Sequence, residues 1–149
     1  MFNEDYGMFD WCHEARVFWF SPAEADQEAE AEYFLVGLAL GLAIHNSVIL
    51  DLHFPNLLFR RLLNEKICRE DLAQVQPDLW RGLDAMLRYD GDVESVFMAD
   101  FSVTTTAFGE GLISELKPGG AEIAVTNLNR EEYVTLYAEY IIETNIRKQ

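Results

Sequence analysis

Apolar residues recur with helical spacing in two parts of the chain. After Pro77 they fall at positions i, i+1, i+4, i+7 and i+8, which predicts a helix through Tyr89 that Gly91 ends. A second stripe predicts a last helix over residues 130–147, and it consists of Tyr133, Leu136, Tyr137, Tyr140, Ile141 and Thr144. Both stripes are one-sided, so each helix should bury one face and expose the other.

The run from Tyr33 to Ile44 is apolar nearly all round. A helix of this kind is typical of the buried centre of a soluble domain. Gly37 and Gly41 lie one turn apart in it and lower helix propensity, which favours a close approach by another element. The run has twelve residues, whereas a membrane span needs roughly 20. The pattern therefore predicts no membrane partner.

Pro55 is expected to start a further helix that continues to about Asn64. Its outward face should carry Arg60 and Arg61. Its inner face should carry Leu57, Leu58, Leu62 and Leu63.

Extended segments are predicted from aromatic and β-branched residues. Residues 8–11 and 17–20 flank a polar turn and predict a β-hairpin, and residues 97–104 predict a strand. Residues 112–116 and 123–125 are expected to be the arms of a second hairpin. Pro118-Gly119 suits the central positions of a type II turn between those arms, because glycine tolerates a positive φ.

The start of the last helix carries a capping signal. Asn129 can cap it, and Glu132 three residues later can complete a capping box.

Composition narrows the class of protein. A chain of 149 residues that is 50% hydrophobic forms one domain, with room for a small appendage. Its net charge of −15 argues against a nucleic-acid partner and favours a partner with a basic face. There is no basic-then-apolar leader, so we expect an intracellular protein of the cytoplasm or nucleus.

No constellation of residues for catalysis or metal binding emerges from the sequence. The histidines have no i, i+4 spacing and there is no Cys-x-x-Cys, whereas a closed zinc site needs about four placed ligands. Cys12 and Cys68 have no specific activating neighbour, and there is no phosphate-binding glycine loop. We therefore predict no catalytic residue, no metal and no cofactor, which favours a binding or structural module.

Several stretches in order resemble the N-lobe of HECT-type ubiquitin-protein ligases, and in particular the subgroup of the ligase recruited by a papillomavirus oncoprotein. They are residues 18–22, 41–46, 49–55, 71–72, 115–120 and 137–141. The resemblance implies an α+β, mainly helical fold with short β-hairpins. Residues 1–149 would then be part of a HECT domain, and residues 77–104 the core of a small subdomain that docks a conjugating enzyme.

The resemblance also implies a function. Such a ligase docks a ubiquitin-conjugating enzyme and accepts ubiquitin on a C-lobe cysteine, which has no counterpart in this chain. The expected partners are the conjugating enzyme, ubiquitin indirectly, and the remainder of the HECT domain. Two alternatives stay open: a non-catalytic module that holds or competes for conjugating enzymes, and a helical interaction domain that has lost docking.

In the family, an apolar and aromatic groove receives a loop phenylalanine of the conjugating enzyme. The matching positions here are Leu79, Leu83, Met86, Tyr89, Phe97 and Tyr133, with Asp84 at the polar rim. Gly82 and Ala99 stand where relatives carry larger residues, which implies a shallower groove. From the residues alone, Leu79, Leu83 and Met86 are equally well explained as core.

Overall fold

The computed structural model describes residues 8–21, 27–107 and 110–147. It is an α+β fold in which helices predominate. The helices are α1 (Gln27–His45), α2 (Asn56–Leu62), α3 (Pro77–Arg88), α4 (Val93–Phe97) and α5 (Arg130–Arg147). The strands are β1 (Phe9–Cys12), β2 (Val17–Phe20), β3 (Ser102–Ala107) and β4 (Glu110–Glu115). Short 3-10 helices cover Arg69–Gln74 and Gly120–Glu122.

The main core lies where α3, α5 and the 3-10 helix Arg69–Gln74 meet. Leu72, Phe101 and Val134 are fully buried there. The predicted helices after Pro77 and over residues 130–147 are confirmed. On α5, however, the deepest residues are Val134, Ala138 and Ile142, which the predicted stripe from Tyr133 did not include.

The first hairpin is confirmed and forms a second, aromatic cluster. β1 pairs antiparallel with β2, with Phe9 opposite Phe20. The Phe9 ring lies 5.4 Å from Phe20 and 5.7 Å from both Tyr33 and Phe54, at angles typical of aromatic packing. The cluster joins the hairpin to α1.

Helix α1 is confirmed as a helix, but its predicted burial on all sides is wrong within the described residues. Val36 is buried and Tyr33 and Leu40 are partly buried against the aromatic cluster. The opposite side is exposed, and a Cβ added to Gly37 or Gly41 would meet nothing within 4 Å. Among the described residues, no helix combines the length and apolar character that crossing a membrane requires.

Helix α2 begins directly after Pro55, as predicted, but its faces differ from the prediction. Leu57 is fully buried, whereas Leu62 and Leu63 are each 70% exposed. Arg60 turns inward, where it pairs with the buried Asp71 carboxylate. An ion pair with a buried acid thus overrides the simple division into apolar and charged faces.

The strand predicted over residues 97–104 begins later than expected. Phe97 is the last residue of α4, and β3 starts at Ser102. Strand β4 pairs with β3, so the expected hairpin between residues 112–116 and 123–125 is wrong. Instead, Ala124 forms an isolated antiparallel bridge with Asp100.

The turn at Pro118-Gly119 forms as predicted. Gly119 has a φ of +71°, and the Gly120 N–H donates to the Lys117 carbonyl at 2.8 Å. Gly120 is buried, and a Cβ there would collide with the Phe101 carbonyl oxygen. The turn therefore needs one glycine for its backbone angle and the next for close packing.

The capping box predicted for α5 is not formed. The Asn129 side chain bonds instead to residues that precede it in the chain. Its Oδ1 accepts from Thr126 N at 2.7 Å, and its Nδ2 donates to the Ala124 carbonyl at 3.0 Å. Glu132 instead accepts from Lys117 Nζ at 2.9 Å. Asn129 thus holds the loop before α5, and Glu132 ties the helix to the Pro-Gly turn.

Candidate functional site

Helix α3 supplies four of the predicted docking residues. The spacing of apolar residues along α3 points the side chains of Leu83 and Met86 toward the main core, where each is 5% exposed. Leu79 is half-buried against the same core. Leu83 and Met86 therefore present little surface in this structure, and they hold α3 to α5 and the 3-10 helix Arg69–Gln74.

Tyr133 lies deep in the same core. It is 6% exposed, and its ring stands edge-on to Phe101 at 5.4 Å and to Tyr137 at 5.6 Å. Burial raises the pKa of Tyr133 to about 12, and the nearby Tyr137 and Asp100 add to the effect. The hydroxyl therefore keeps its proton at neutral pH and supplies no base.

Tyr89 and Phe97 form an aromatic pair at the junction of α3 and α4. Their ring centroids are 5.6 Å apart and the rings are nearly perpendicular. Tyr89 is 36% exposed and Phe97 is partly buried. Arg130 of α5 donates through Nη1 to the Tyr89 carbonyl at 2.5 Å, which fixes the backbone under the pair. Tyr89 thus has a backbone that is held in place and an aromatic side chain that is accessible to a partner.

The connection between α3 and α4 is fastened a second time by Asn127. Its Oδ1 accepts from Val93 N at 3.0 Å, and its Nδ2 donates to the Gly91 carbonyl at 2.8 Å. The side chains of Asn127 and Arg130 therefore both hold the connection between α3 and α4 in place.

Asp84 lies on α3 with its side chain 31% exposed. Its carboxylate pairs with Arg88 Nε at 2.9 Å, one helical turn away. Surface pairs of this type stabilise a protein by about 0.5 kcal/mol or less. Asp84 can therefore exchange this pair for a cation on a partner at little cost in free energy.

The structure divides the six apolar and aromatic residues of the predicted site among three places. Leu83, Met86 and Tyr133 share the core, and Tyr89 and Phe97 share the junction after α3. Leu79 is near the start of α3, beside a cavity of 420 Å³ that the turn of the first hairpin also lines. Because a helix rises 1.5 Å per residue, Leu79 and Tyr89 are about 15 Å apart along its axis. They therefore lie near opposite ends of α3.

Sequence reasoning missed the polar junction around Asp71. Asp71 is 7% exposed, and Arg60 Nη1 lies 2.7 Å from both of its carboxylate oxygens. The carboxylate also accepts from Cys68 N at 2.8 Å and from Gln74 Nε2 at 2.9 Å. Gln74 in turn accepts from Leu57 N at 3.1 Å. This network joins α2 to the 3-10 helix.

The electrostatics of this junction favour the ion pair. Desolvation by itself lowers the pKa of Arg60, but the charge and hydrogen bonds of Asp71 and of Cys68 together outweigh it, so the pKa is raised. A signal for the junction existed in the sequence, because Asp71 precedes Leu72 at the start of a short helix where acids are favoured. Its partner Arg60 could not be identified, because the pairing spans two elements.

The described residues hold no group of three or more metal-ligating side chains. Cys12 is half-buried at the end of β1, and Cys68 is exposed beside the 3-10 helix Arg69–Gln74.

A family model described as HECT-domain (ubiquitin-transferase) matches residues 1–149. Named relatives agree with it. The chain is 39% identical over 163 residues to "Probable E3 ubiquitin-protein ligase HECTD2" of Mus musculus, covering 100% of this chain and 21% of that protein. It is 35% identical over 150 residues to "Probable E3 ubiquitin-protein ligase mug30" of Schizosaccharomyces pombe, covering 100% of this chain and 18% of that protein.

A third relative, "Probable E3 ubiquitin-protein ligase HERC4" of Homo sapiens, is 36% identical over 147 residues, covering 98% of this chain and 14% of that protein. The chain thus spans about a fifth or less of the length of these relatives. Since the family model covers every residue and the relatives agree with it, the chain belongs to the HECT-domain (ubiquitin-transferase) family.

Proposed function

We propose that this protein acts as part of a HECT-type ubiquitin-protein ligase, in the subgroup that the sequence resembles. The observation that carries the proposal is the match of the HECT-domain model to residues 1–149, supported by relatives named as ubiquitin-protein ligases. Transfer requires a cysteine supplied elsewhere in the ligase, since neither Cys12 nor Cys68 lies in a context that the family uses. The 149-residue chain alone is expected to form no thioester with ubiquitin.

The finer proposal is that residues 77–104 dock a ubiquitin-conjugating enzyme. Exposed aromatic side chains on a rigid base are the usual anchors of protein interfaces. Tyr89 has this character, because it packs on Phe97 and its carbonyl is held by Arg130. Asp84, whose surface pair with Arg88 costs little to exchange, would meet a basic residue of the conjugating enzyme. The acidic net charge of the chain would attract the same partner.

A second candidate is a structural role, in which the conjugating enzyme is bound by other regions of the ligase. The burial of Leu83, Met86 and Tyr133 favours this candidate. Side chains that are about 5% exposed stabilise the fold and contribute little to a partner's surface. In this case residues 77–104 position the docking surface without forming it.

Calorimetric titration of the chain with a panel of ubiquitin-conjugating enzymes separates the two candidates. If the chain docks the enzyme, Tyr89→Ala should weaken binding by about 2 kcal/mol and leave the fold intact. Ile113→Ala is the matched control, because it truncates another exposed apolar side chain, on β4. Circular dichroism of each variant reports whether it is folded.

Each possible outcome supports one of the two candidates. Binding lost only in Tyr89→Ala supports docking at the α3–α4 junction. A folded chain that binds no panel member supports the structural role. Leu83→Ala adds a control for the core: it should lower the free energy of unfolding by about 2–5 kcal/mol, as large-to-small core changes do. Docking without any catalytic function in the intact protein would correspond to the non-catalytic binding module.

A further inference from the structure

Gly91 lies two residues after Tyr89, in the connection between α3 and α4. The chain does not need glycine there for its backbone angle, because Gly91 lacks the positive φ that glycine supplies at many helix ends. Packing gives a different reason. A Cβ added at Gly91 would lie 2.6 Å from Cε1 of Tyr89, and 2.7 Å from both Cζ and the hydroxyl oxygen. The outer half of the Tyr89 ring therefore occupies the place that a side chain at position 91 would take.

The backbone beneath the ring is held in place from the segment that leads into α5. The Gly91 carbonyl accepts from Asn127 Nδ2 at 2.8 Å, and Asn127 Oδ1 accepts from Val93 N at 3.0 Å. The Tyr89 carbonyl accepts from Arg130 Nη1 at 2.5 Å. Since hydrogen bonds fix the backbone on both sides, a methyl group at position 91 would be accommodated by rotation of the Tyr89 side chain.

That rotation would carry the ring away from Phe97. The two ring centroids are 5.6 Å apart and the rings are nearly perpendicular, which is a favourable arrangement for an aromatic pair. Phe97 and the bare Cα of Gly91 thus hold the Tyr89 ring in one orientation while 36% of the residue stays exposed. A side chain that is ordered before binding loses less conformational freedom when a partner contacts it.

We propose that Gly91 is a positioning residue for docking, because its missing side chain lets the Tyr89 ring take the orientation that a ubiquitin-conjugating enzyme contacts. The inference rests on the docking proposed above and adds to it a residue that acts through Tyr89. In the alternative, Gly91 serves only the path of the chain between α3 and α4. A substitution at Gly91 would then have the same effect whether or not the Tyr89 ring is present.

A double-variant cycle tests this role by calorimetric titration with the panel of conjugating enzymes. Gly91→Ala should raise the Kd by about tenfold, because it displaces the Tyr89 anchor. In a Tyr89→Ala chain the same substitution should change the Kd by no more than about twofold, because the ring that it displaces is gone. Gly37→Ala is the matched control, since it adds the same methyl group on α1, where an added Cβ meets nothing within 4 Å.

Equal weakening of binding by Gly91→Ala with and without the Tyr89 ring overturns the positioning role. A Gly91→Ala chain that binds as tightly as the unsubstituted chain also overturns it, provided that Tyr89→Ala does weaken binding. Circular dichroism adds a third condition: loss of the fold in Gly91→Ala would show that rotation of Tyr89 does not accommodate the methyl group, and would overturn the inference.

Nuclear magnetic resonance of the free, unsubstituted chain distinguishes a failure of this inference from a failure of docking. Nuclear Overhauser contacts should join the Tyr89 ring protons to the Hα protons of Gly91, because the ring lies over that Cα. Their absence overturns the inference whether or not an enzyme binds. A chain that shows these contacts but binds no panel member overturns the docking itself, and the positioning role falls with it.

Discussion

At the scale of single residues, Asp71 shows how one buried charge organises its neighbourhood. Its carboxylate receives hydrogen bonds from Arg60, from the Cys68 backbone and from Gln74. A buried acid that keeps all of its acceptor sites occupied is stabilising, whereas removing the charge leaves its donors unpaired. The junction between α2 and the 3-10 helix therefore depends on this side chain.

We expect Asp71→Asn to lower the free energy of unfolding by about 2–3 kcal/mol, because Arg60 loses its buried anionic partner and the new amide N–H₂ cannot accept the existing bonds. Urea denaturation measures the change. Glu70→Gln is the control, since the neighbouring Glu70 side chain is 60% exposed and pairs with Arg69 at the surface. That variant should change stability by no more than about 0.5 kcal/mol. Equal effects of the two variants would contradict the role of Asp71.

At the scale of elements, two glycines differ in the space that surrounds them, one beside a turn and one within a helix. Gly120 follows the Pro-Gly turn and is buried against the Phe101 backbone, so it has no room for a side chain. Gly37 lies within α1 and has open space around it. The first glycine is required by packing, whereas at the second an added Cβ would meet nothing within 4 Å.

The two sites make a matched test. Gly120→Ala should lower the free energy of unfolding by about 1–3 kcal/mol, because the added methyl group forces the Phe101 backbone away. Gly37→Ala should raise it by up to about 1 kcal/mol, because alanine has the higher helix propensity. Thermal or urea unfolding of both variants measures the difference. A neutral Gly120→Ala would show that the turn relaxes without cost.

At the scale of the whole molecule, the acidic net charge opposes the compact fold. With a net charge of −15, repulsion between carboxylates is stronger in the folded chain than in the expanded one. The surface ion pairs offset little of it, since exposed pairs contribute only about 0–1 kcal/mol each.

We therefore expect salt to stabilise the chain. Raising sodium chloride from about 10 mM to about 150 mM shortens the screening length from about 30 Å to about 8 Å and should shift the urea midpoint upward. Potassium chloride at the same ionic strength is the control for ion-specific binding. A midpoint that falls with salt would mean that the attractive ion pairs outweigh the general repulsion.

The sequence determined the elements whose signals are local. The helices after Pro77 and over residues 130–147 follow from apolar spacing, and the Pro118-Gly119 turn follows from backbone preferences. The aromatic hairpin near the start was predictable for the same reason, since strand and turn residues are adjacent in the chain. Each of these features depends on residues within a few positions of one another.

Only the tertiary structure decided the contacts between distant segments. Periodicity marked Leu83 and Tyr133 as facing inward or toward a partner, and burial at 5% and 6% places them in a shared core. Periodicity did not predict that Arg60 pairs with Asp71. It also did not predict that β4 pairs with β3 and not with residues 123–125. Likewise, the run from Tyr33 to Ile44 in α1 is apolar nearly all round, yet only one of its sides is covered by the described chain. The physical reason is that local preferences fix the shape of an element and which of its faces are apolar, whereas its neighbours are fixed by packing and charge pairing across the folded molecule.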